Sequence, residues 1–258
     1  MNKEETIQAI DNLSVFELKK VLILKDDEPK QLPDCWKAVY QVGTDNKVVE
    51  FVTDKYKLVQ HKEAFSSIIH DIEDFDGEVE QFDGTAIMNI FPNGEDYIMD
   101  KDTKIGITAY NSVDKTSALN IKFVVNSNGR LFTIGQKNTI FKKAHIGQIN
   151  QNLKDYAMLV TELKSYWRSI VTDLDLLVID TEEDMHDICK AFNVPEEIET
   201  QLKLAMGIDK ITAWGIIKMA YDRVTTKKFK SEVHLRKHLD ELSENMFTWK
   251  FLSRLKTK

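Results

Sequence analysis

Lys122, Arg130, Lys137, Lys142, Lys143 and His145 lie in a stretch with no acidic residue between Lys115 and Lys154. Phe123, Phe132 and Phe141 are interleaved with them. Cationic side chains neutralise phosphates and aromatic faces stack on unpaired bases, so this is the composition that a single-strand nucleic-acid binder uses. The same composition arises where phenylalanines are core and lysines solubilise an outer face. Lys122, Arg130, Lys137, Phe141, Lys142, Lys143 and His145 are therefore the candidates for nucleic-acid contact. A second group, Asn111, Ser112 and Asp114, forms a polar loop between apolar runs. Such side chains either present donors and acceptors to a partner or bond to nearby backbone and shape a turn.

Patterns that would mark a reaction are missing. A P-loop needs glycines spaced so that backbone amides cradle phosphates, and neither that run nor a dinucleotide fingerprint nor a Gly-x-Ser-x-Gly elbow occurs. No nucleophile and base can be paired, which leaves no catalytic residue to nominate and points away from an enzyme. His234 and His238 sit four apart, but Leu235, Arg236 and Lys237 between them supply no Glu base, and the local positive charge opposes a cation. Asp74-Phe75-Asp76-Gly77-Glu78 hints at a calcium loop, lacks the alternate ligands, and reads better as a surface turn. The expectation is no metal and no cofactor.

Composition sets the class. With 258 residues, 42% hydrophobic and 30% charged, the chain is long enough for a sizeable core without staples. Cys35 and Cys189 have no second thiol nearby, which fits a reducing cytoplasm. The start lacks the apolar core of a signal peptide and no run approaches a membrane span. A cytoplasmic protein with no membrane partner is expected, and a homo-oligomer is compatible with everything in the sequence. Net charge is -7, but it alternates in blocks. Residues 1 to 118 carry 13 Lys/Arg against 24 Asp/Glu, and residues 119 to 168 carry 8 against 2. Residues 169 to 200 carry 1 against 10, and residues 201 to 258 carry 13 against 6. A partner feels these local fields rather than their sum.

The elements that must hold these side chains follow from periodicity. Ser14 with Glu17 reads as a capping box opening a helix through Leu18, Val21 and Leu22. Trp36 to Val42 and Val48 to Val52 read as a hairpin, and Tyr56 to Gln60 as a short strand. Phe65, Ile68, Ile69 and Ile72 then take helical spacing. Ala86 to Phe91, Tyr97 to Met99, Lys104 to Tyr110 and Leu119 to Val125 read as a strand meander. Asn128-Gly129 closes a hairpin onto Leu131 to Ile134 or, alternatively, opens a strand-to-helix turn. From about Ile149 the period is helical, with starts at Thr181 and Pro195 and further helices around Ile211 to Val224 and Val233 to Leu255. The expected fold is α+β: an N-terminal antiparallel sheet with a packed helix over residues 1 to 148, followed by an all-helical half over 149 to 258 that shares its core.

The segment Tyr56-Lys57-Leu58-Val59-Gln60-His61-Lys62-Glu63-Ala64-Phe65 resembles the early signature of the phage/plasmid-like protein family known as domain of unknown function 932. Asn111 to Ala118, Phe123 to Gly129 and Lys143 to Gly147 resemble that family's Asn-Ser-His-Asp-Gly-Ser loop, its Arg-Val-Val-Cys-x-Asn-Gly strand end and its Arg-x-His-Thr-Gly. Thr212 to Tyr221 is similar to a late helix of the family, so the ordered matches span residues 56 to 221. Val113 stands where the family tends to have His, Lys115 where it has Gly, Phe123 where it has Arg and Asn126 where it has Cys. Any metal or catalytic work of that His and Cys is lost here. The resemblance implies phage or plasmid biology and supplies no reaction. With the basic strip, it leads to a non-catalytic nucleic-acid-binding protein of a mobile element, with single strands favoured for binding or annealing, in the host cytoplasm if phage-encoded. The alternative is a protein-interaction or structural accessory.

Overall fold

The computed structural model describes residues 1–20, 22–25, 28–31, 36–43, 47–70, 72–114, 119–133, 139–143, 164–165, 168–169, 171–206, 208–226, 235 and 238–243, and for 22–25, 28–31, 100 and 139–143 the backbone alone. The fold is α+β, with antiparallel sheets and helices in the N-terminal part and helices mainly in the C-terminal part. It divides into two compact units. The first takes Met1–Tyr97, Gly106–Phe123 and Thr139–Tyr156, and the second Ile98–Ile105, Val124–Asn138 and Ala157–Lys258. The boundary expected at residue 148 lies outside the described residues.

The first unit opens with helix α1 (Lys3–Asp11). Asn2 Oδ1 accepts from the Glu5 amide at 2.9 Å and Glu5 Oε2 accepts from the Asn2 amide at 3.0 Å, a reciprocal cap that satisfies two otherwise orphaned donors. Strands β1 (Phe16–Lys20), β4 (Trp36–Gln41) and β5 (Val48–Thr53) form a three-stranded antiparallel sheet in the order β1-β4-β5. β2 (Leu22–Lys25) and β3 (Glu28–Gln31) pair with each other. Phe16, Val39 and Val52 alternate inward from the three-stranded sheet and pack with Val113. Helix α2 (His61–Ile69) buries His61, Ala64, Phe65, Ile68 and Ile69.

The larger sheet takes β6 (Phe75–Phe82), β7 (Thr85–Pro92), β9 (Thr103–Ser112), β10 (Leu119–Ser127) and β11 (Arg130–Thr133) in the order β11-β10-β9-β7-β6. β8 (Ile98–Asp100) pairs with β9, and β12 (Thr139–Lys143) with β10. β6 lies close under α1 because Gly77 has no side chain there; a Cβ would meet Thr6 and Ile90 at under 3 Å. In the second unit, Asn128 (φ 51°) and Gly129 (φ 79°) make the tight turn between β10 and β11. Phe132 of β11 packs on Trp214 and Tyr221 of a long helix, ring centroids 5.3 and 5.0 Å apart. Among the described residues of this unit, three helices have both ends defined: α3 (Glu182–Ala191), α4 (Glu196–Ala205) and α5 (Ala213–Thr226).

Three sequence expectations are corrected. Ser14 does not cap a helix: its hydroxyl accepts from Gln41 Nε2 at 2.9 Å, and Phe16 to Lys20 is strand β1, with Phe16 buried and Glu17 exposed. The helix lies upstream, where Asn2 and Glu5 supply the cap. Tyr56 to Gln60 is not a strand. The Gln60 side chain instead accepts from the Phe16 amide at 3.1 Å and donates to the Phe16 carbonyl at 2.7 Å, so a side-chain amide completes the edge of β1. Phe75 to Glu78 is neither a calcium loop nor a surface turn but the start of β6, with Phe75 fully buried and Gly77 donating to the Met1 carbonyl at 2.8 Å. The hairpin alternative at Asn128-Gly129 is the one adopted. The helix stripe of Phe65, Ile68 and Ile69 faces the core, while Ile72 lies past the end of α2 and is half-buried. Thr181 and Pro195 start α3 and α4. Most of the helix expected from Ile149, and of the one from Val233 to Leu255, lies outside the described residues; 164–165, 168–169, 171–176, 235 and 238–243 are helical.

Candidate nucleic-acid interface

The basic strip is organised by β10. Its N-terminal half pairs with β12, with Leu119 opposite Lys143, Asn120 opposite Lys142, Ile121 opposite Phe141 and Lys122 opposite Thr139. Residues 17 to 24 apart in sequence thereby become neighbours on one ladder, with a bulge between Ile121 and Lys122. Bulges re-aim side chains and increase twist. Lys122 is half-buried, and its ammonium stands 5.9 Å from the ring centroid of Tyr110 on β9. A cation over an aromatic face is held by the ring quadrupole. The side chains of Phe141, Lys142 and Lys143, and all of Lys137 and His145, lie outside the described residues.

Other members of the sequence-derived group have internal work. Arg130 makes a two-pronged contact with Asp222 of α5, from Nε at 2.8 Å and from a terminal nitrogen at 2.7 Å. That hydrogen bond holds the guanidinium pKa above its usual value. Phe123 and Phe132 are core, at 2% and 0% exposure. Asn111 is fully buried: its Nδ2 donates to the Val59 carbonyl at 3.1 Å and lies 2.9 Å from His61 Nδ1. Since the amide nitrogen must face the carbonyl, it is the donor to His61 as well, which assigns the histidine proton to Nε2. His61 itself is buried, edge-on to the Phe16 ring and stacked on Phe65. Asn111 Oδ1 is buried with no hydrogen-bond partner.

Ser112 is buried and donates to Asp114 Oδ1 at 2.6 Å. Asp114 is half-buried and packs against the glycine backbone at Gly84, where a Cβ would come within 2.8 Å of it. Val113 between them is a core residue, its amide donating to Gly84 and its carbonyl accepting from Tyr56 Oη. Burial raises the Tyr56 phenol pKa well above its ordinary value, with the negative charges of Asp114 and Glu50 adding to the rise. Three of the four positions at which the chain departs from the resembled family thus carry structure, and Lys115 lies outside the described residues. Val113 and Phe123 fill core, and the Asn126 side chain accepts from the Gly129 amide at 2.8 Å to shape the turn.

Titratable side chains also meet between α3 and α4. Glu199 accepts from Lys203 Nζ at 2.8 Å and from His186 Nδ1 at 3.0 Å. The lysine, then the histidine, hold its carboxyl below the usual range against the opposing effect of burial. Cys189 beside them is buried and its thiol is pushed up to about 11 by burial and by Glu199, which makes it a poor nucleophile at neutral pH. His238 Nδ1 lies 3.2 Å from Glu241, and His234 lies outside the described residues. Among the described residues no three His, Cys, Asp or Glu side chains gather as metal ligands, and no helix is long and apolar enough to cross a membrane.

One surface was not read from the sequence as a site. Trp36, Tyr40 and Phe51 share the outer face of the β1-β4-β5 sheet, opposite to Val39 and Val52. Its signal is the alternation Trp36-x-Ala38-x-Tyr40, in which large aromatics occupy the face that a one-sided sheet normally leaves polar. No protein-family model matches the chain, nor does any curated protein or solved structure.

Proposed function

We propose that this protein is a non-catalytic nucleic-acid-binding protein, with single strands as the preferred ligand. The observation that carries the reading is the β10–β12 register, which brings Lys122 and the Lys142-Lys143 pair onto adjoining strands within a stretch free of acidic residues. Phosphate neutralisation needs such clustering, because each contact adds a counterion released. The structural duties of Val113, Asn126, Asn111 and Ser112 support a role without catalysis. The ordered resemblance over residues 56 to 221 supports a phage or plasmid setting, and with it the cytoplasm of a host cell.

The test is fluorescence anisotropy of a labelled single-stranded oligonucleotide and the matching duplex, titrated across salt. Lys142→Ala with Lys143→Ala weakens binding similarly for all sequences and flattens the log–log salt slope by roughly 1.4, since each phosphate contact on a single strand contributes about 0.7. No salt-sensitive binding to either form, even at low ionic strength, sinks the reading. A protein-interaction accessory would then take its place. That second reading has its own observation in Leu204 and Ile208, which are 75% and 82% exposed beside the acidic stretch of residues 169 to 200.

A further inference from the structure

The outer face of the three-stranded sheet, the side away from Val39 and Val52, is more apolar than a solvated face requires. Val15, Trp36, Val42, Val48 and Phe51 are 39 to 54% exposed, and Tyr40 is half-buried. The register sets Phe51 opposite Ala38 and Val48 opposite Tyr40, so these positions share one face with Trp36. One rung past the strand ends, the Val42 amide donates to the Val15 carbonyl at 2.8 Å, which extends the same face. Scattered apolar side chains need no explanation, but a contiguous set marks a contact surface.

Charge decides what fits it. Lys20 and Lys37 lie opposite one another on the inner side, and Glu50 lies there too, opposite Val39. Among the described residues of the three strands, Glu17 and Lys19 bring the only charges to the outer face. They lie 3.4 Å apart, and about half of each side chain is exposed. The face is thus neutral and carries one charge of each sign, whereas residues 1 to 118 as a whole hold 13 Lys/Arg against 24 Asp/Glu. Neither a polyanion nor a polycation is drawn to such a surface. Two acidic chains that meet through it bring together a part of each that has no net charge to repel the other.

From this register we infer that the outer face of β1-β4-β5 is a two-fold interface between two copies of the chain. A two-fold contact sets a patch against itself, so the patch must be self-complementary. An axis lying in the interface, perpendicular to the strands and crossing them at the Leu18–Val39 rung, meets that requirement. It exchanges the rung on one side for the rung on the other, so Glu17 faces the partner's Lys19 and Lys19 faces the partner's Glu17. The same operation sets Phe51 against the partner's Val48 and Trp36 against the partner's Val42, each large side chain against a smaller one. Aligned sheets pack face to face in this manner, about 10 Å apart. From Trp36 to Val42 the face spans only about 20 Å, which puts the contact near the low end of specific interfaces and makes the dimer reversible. The interface does not depend on the nucleic-acid reading.

The experiment is sedimentation velocity of the full chain, without nucleic acid, from about 1 to about 200 μM, the range in which a small interface dissociates. The parent should pass from monomer to dimer across it. Trp36→Ala should weaken association about thirtyfold or more, as loss of a buried aromatic anchor does. Glu17→Lys and Lys19→Glu each set like charges against one another twice, once on either side of the axis, and each should weaken association about tenfold or more. An equimolar mixture of Glu17→Lys with Lys19→Glu should recover dimers, because the two bases of one face then meet the two acids of the other. These side chains are partly exposed, so circular dichroism and thermal melting of the variants should match the parent. A parent that stays monomeric throughout, or a dimer that all three variants leave unaltered, overturns the interface. A mixture that associates no better than its components overturns it as well.

Discussion

Arg130 shows how far a residue's type falls short of its role. In the sequence it is one cation in a basic strip; in the fold its planar fork is engaged by Asp222 through two hydrogen bonds. A bidentate carboxylate holds guanidinium in the geometry it would otherwise offer a phosphate. Binding nucleic acid through Arg130 would require breaking that clasp. Arg130→Ala should therefore change the salt slope of oligonucleotide binding less than Lys142→Ala does. Since the two side chains are 26% and 53% exposed, water screens much of the attraction. A double-mutant cycle on Arg130→Ala and Asp222→Ala should give a coupling of about 0.5 to 1 kcal/mol. Coupling indistinguishable from zero would show the clasp to be incidental and return Arg130 to the strip. Asn111 teaches the same lesson: its burial depends on Val59 and His61, fifty positions away, and no local pattern announces that.

At the scale of elements, the β7–β9 ladder is the most exacting. A Cβ at Gly106 would run into the Ile90 carbonyl and the Phe91 ring, so the two strands approach as they do because residue 106 has no side chain. Gly106→Ala should cost about 1 to 3 kcal/mol or more in urea unfolding, the usual range for overpacking. A midpoint equal to that of the parent would mean the ladder shifts freely. What could be read beforehand divides by mechanism. β7, β9, β10 and the α2 stripe were legible because sustained apolar runs or helical spacing mark them. Thr181 and the Asn128-Gly129 turn were legible because capping and turn chemistry are local. Helix α1 was not, since its buried face consists of Thr6 and Ile10 alone and its cap shares the pattern that Ser14 and Glu17 mimic. β6 was hidden by Asp76, Gly77 and Glu78, residues tolerated in a strand that ends the sheet order and receives α1. The aromatic face of β4 and β5 was legible as strands but not as a surface, because the side a sheet buries is decided by what packs on the other.

Across the whole molecule, each unit contains an acid kept protonated by its surroundings: half-buried Tyr56 in the first and buried Cys189 in the second. Both are raised chiefly by burial, Tyr56 further by Asp114 and Glu50, and Cys189 further by Glu199. A group whose folded pKa exceeds its unfolded value binds its proton more tightly in the native state. Its stabilising contribution is full below the unfolded pKa and is lost as pH rises through the folded one. For Cys189 the window runs from about 9 to about 11, and for Tyr56 the loss begins near its ordinary value of 10.0. Each group in its window removes up to about 1.4 kcal/mol of stability per pH unit. Urea midpoints followed by circular dichroism should therefore hold steady below pH 9 and decline between pH 9 and 11. Variants separate the contributions of the two groups. Cys189→Ala should flatten the decline between pH 9 and 11, and Tyr56→Phe should flatten it above pH 10, each after allowance for its own cost at pH 8. Midpoints that stay constant from pH 8 to 11 in the parent, or that decline identically in both variants, would show that neither burial is felt in the folding equilibrium.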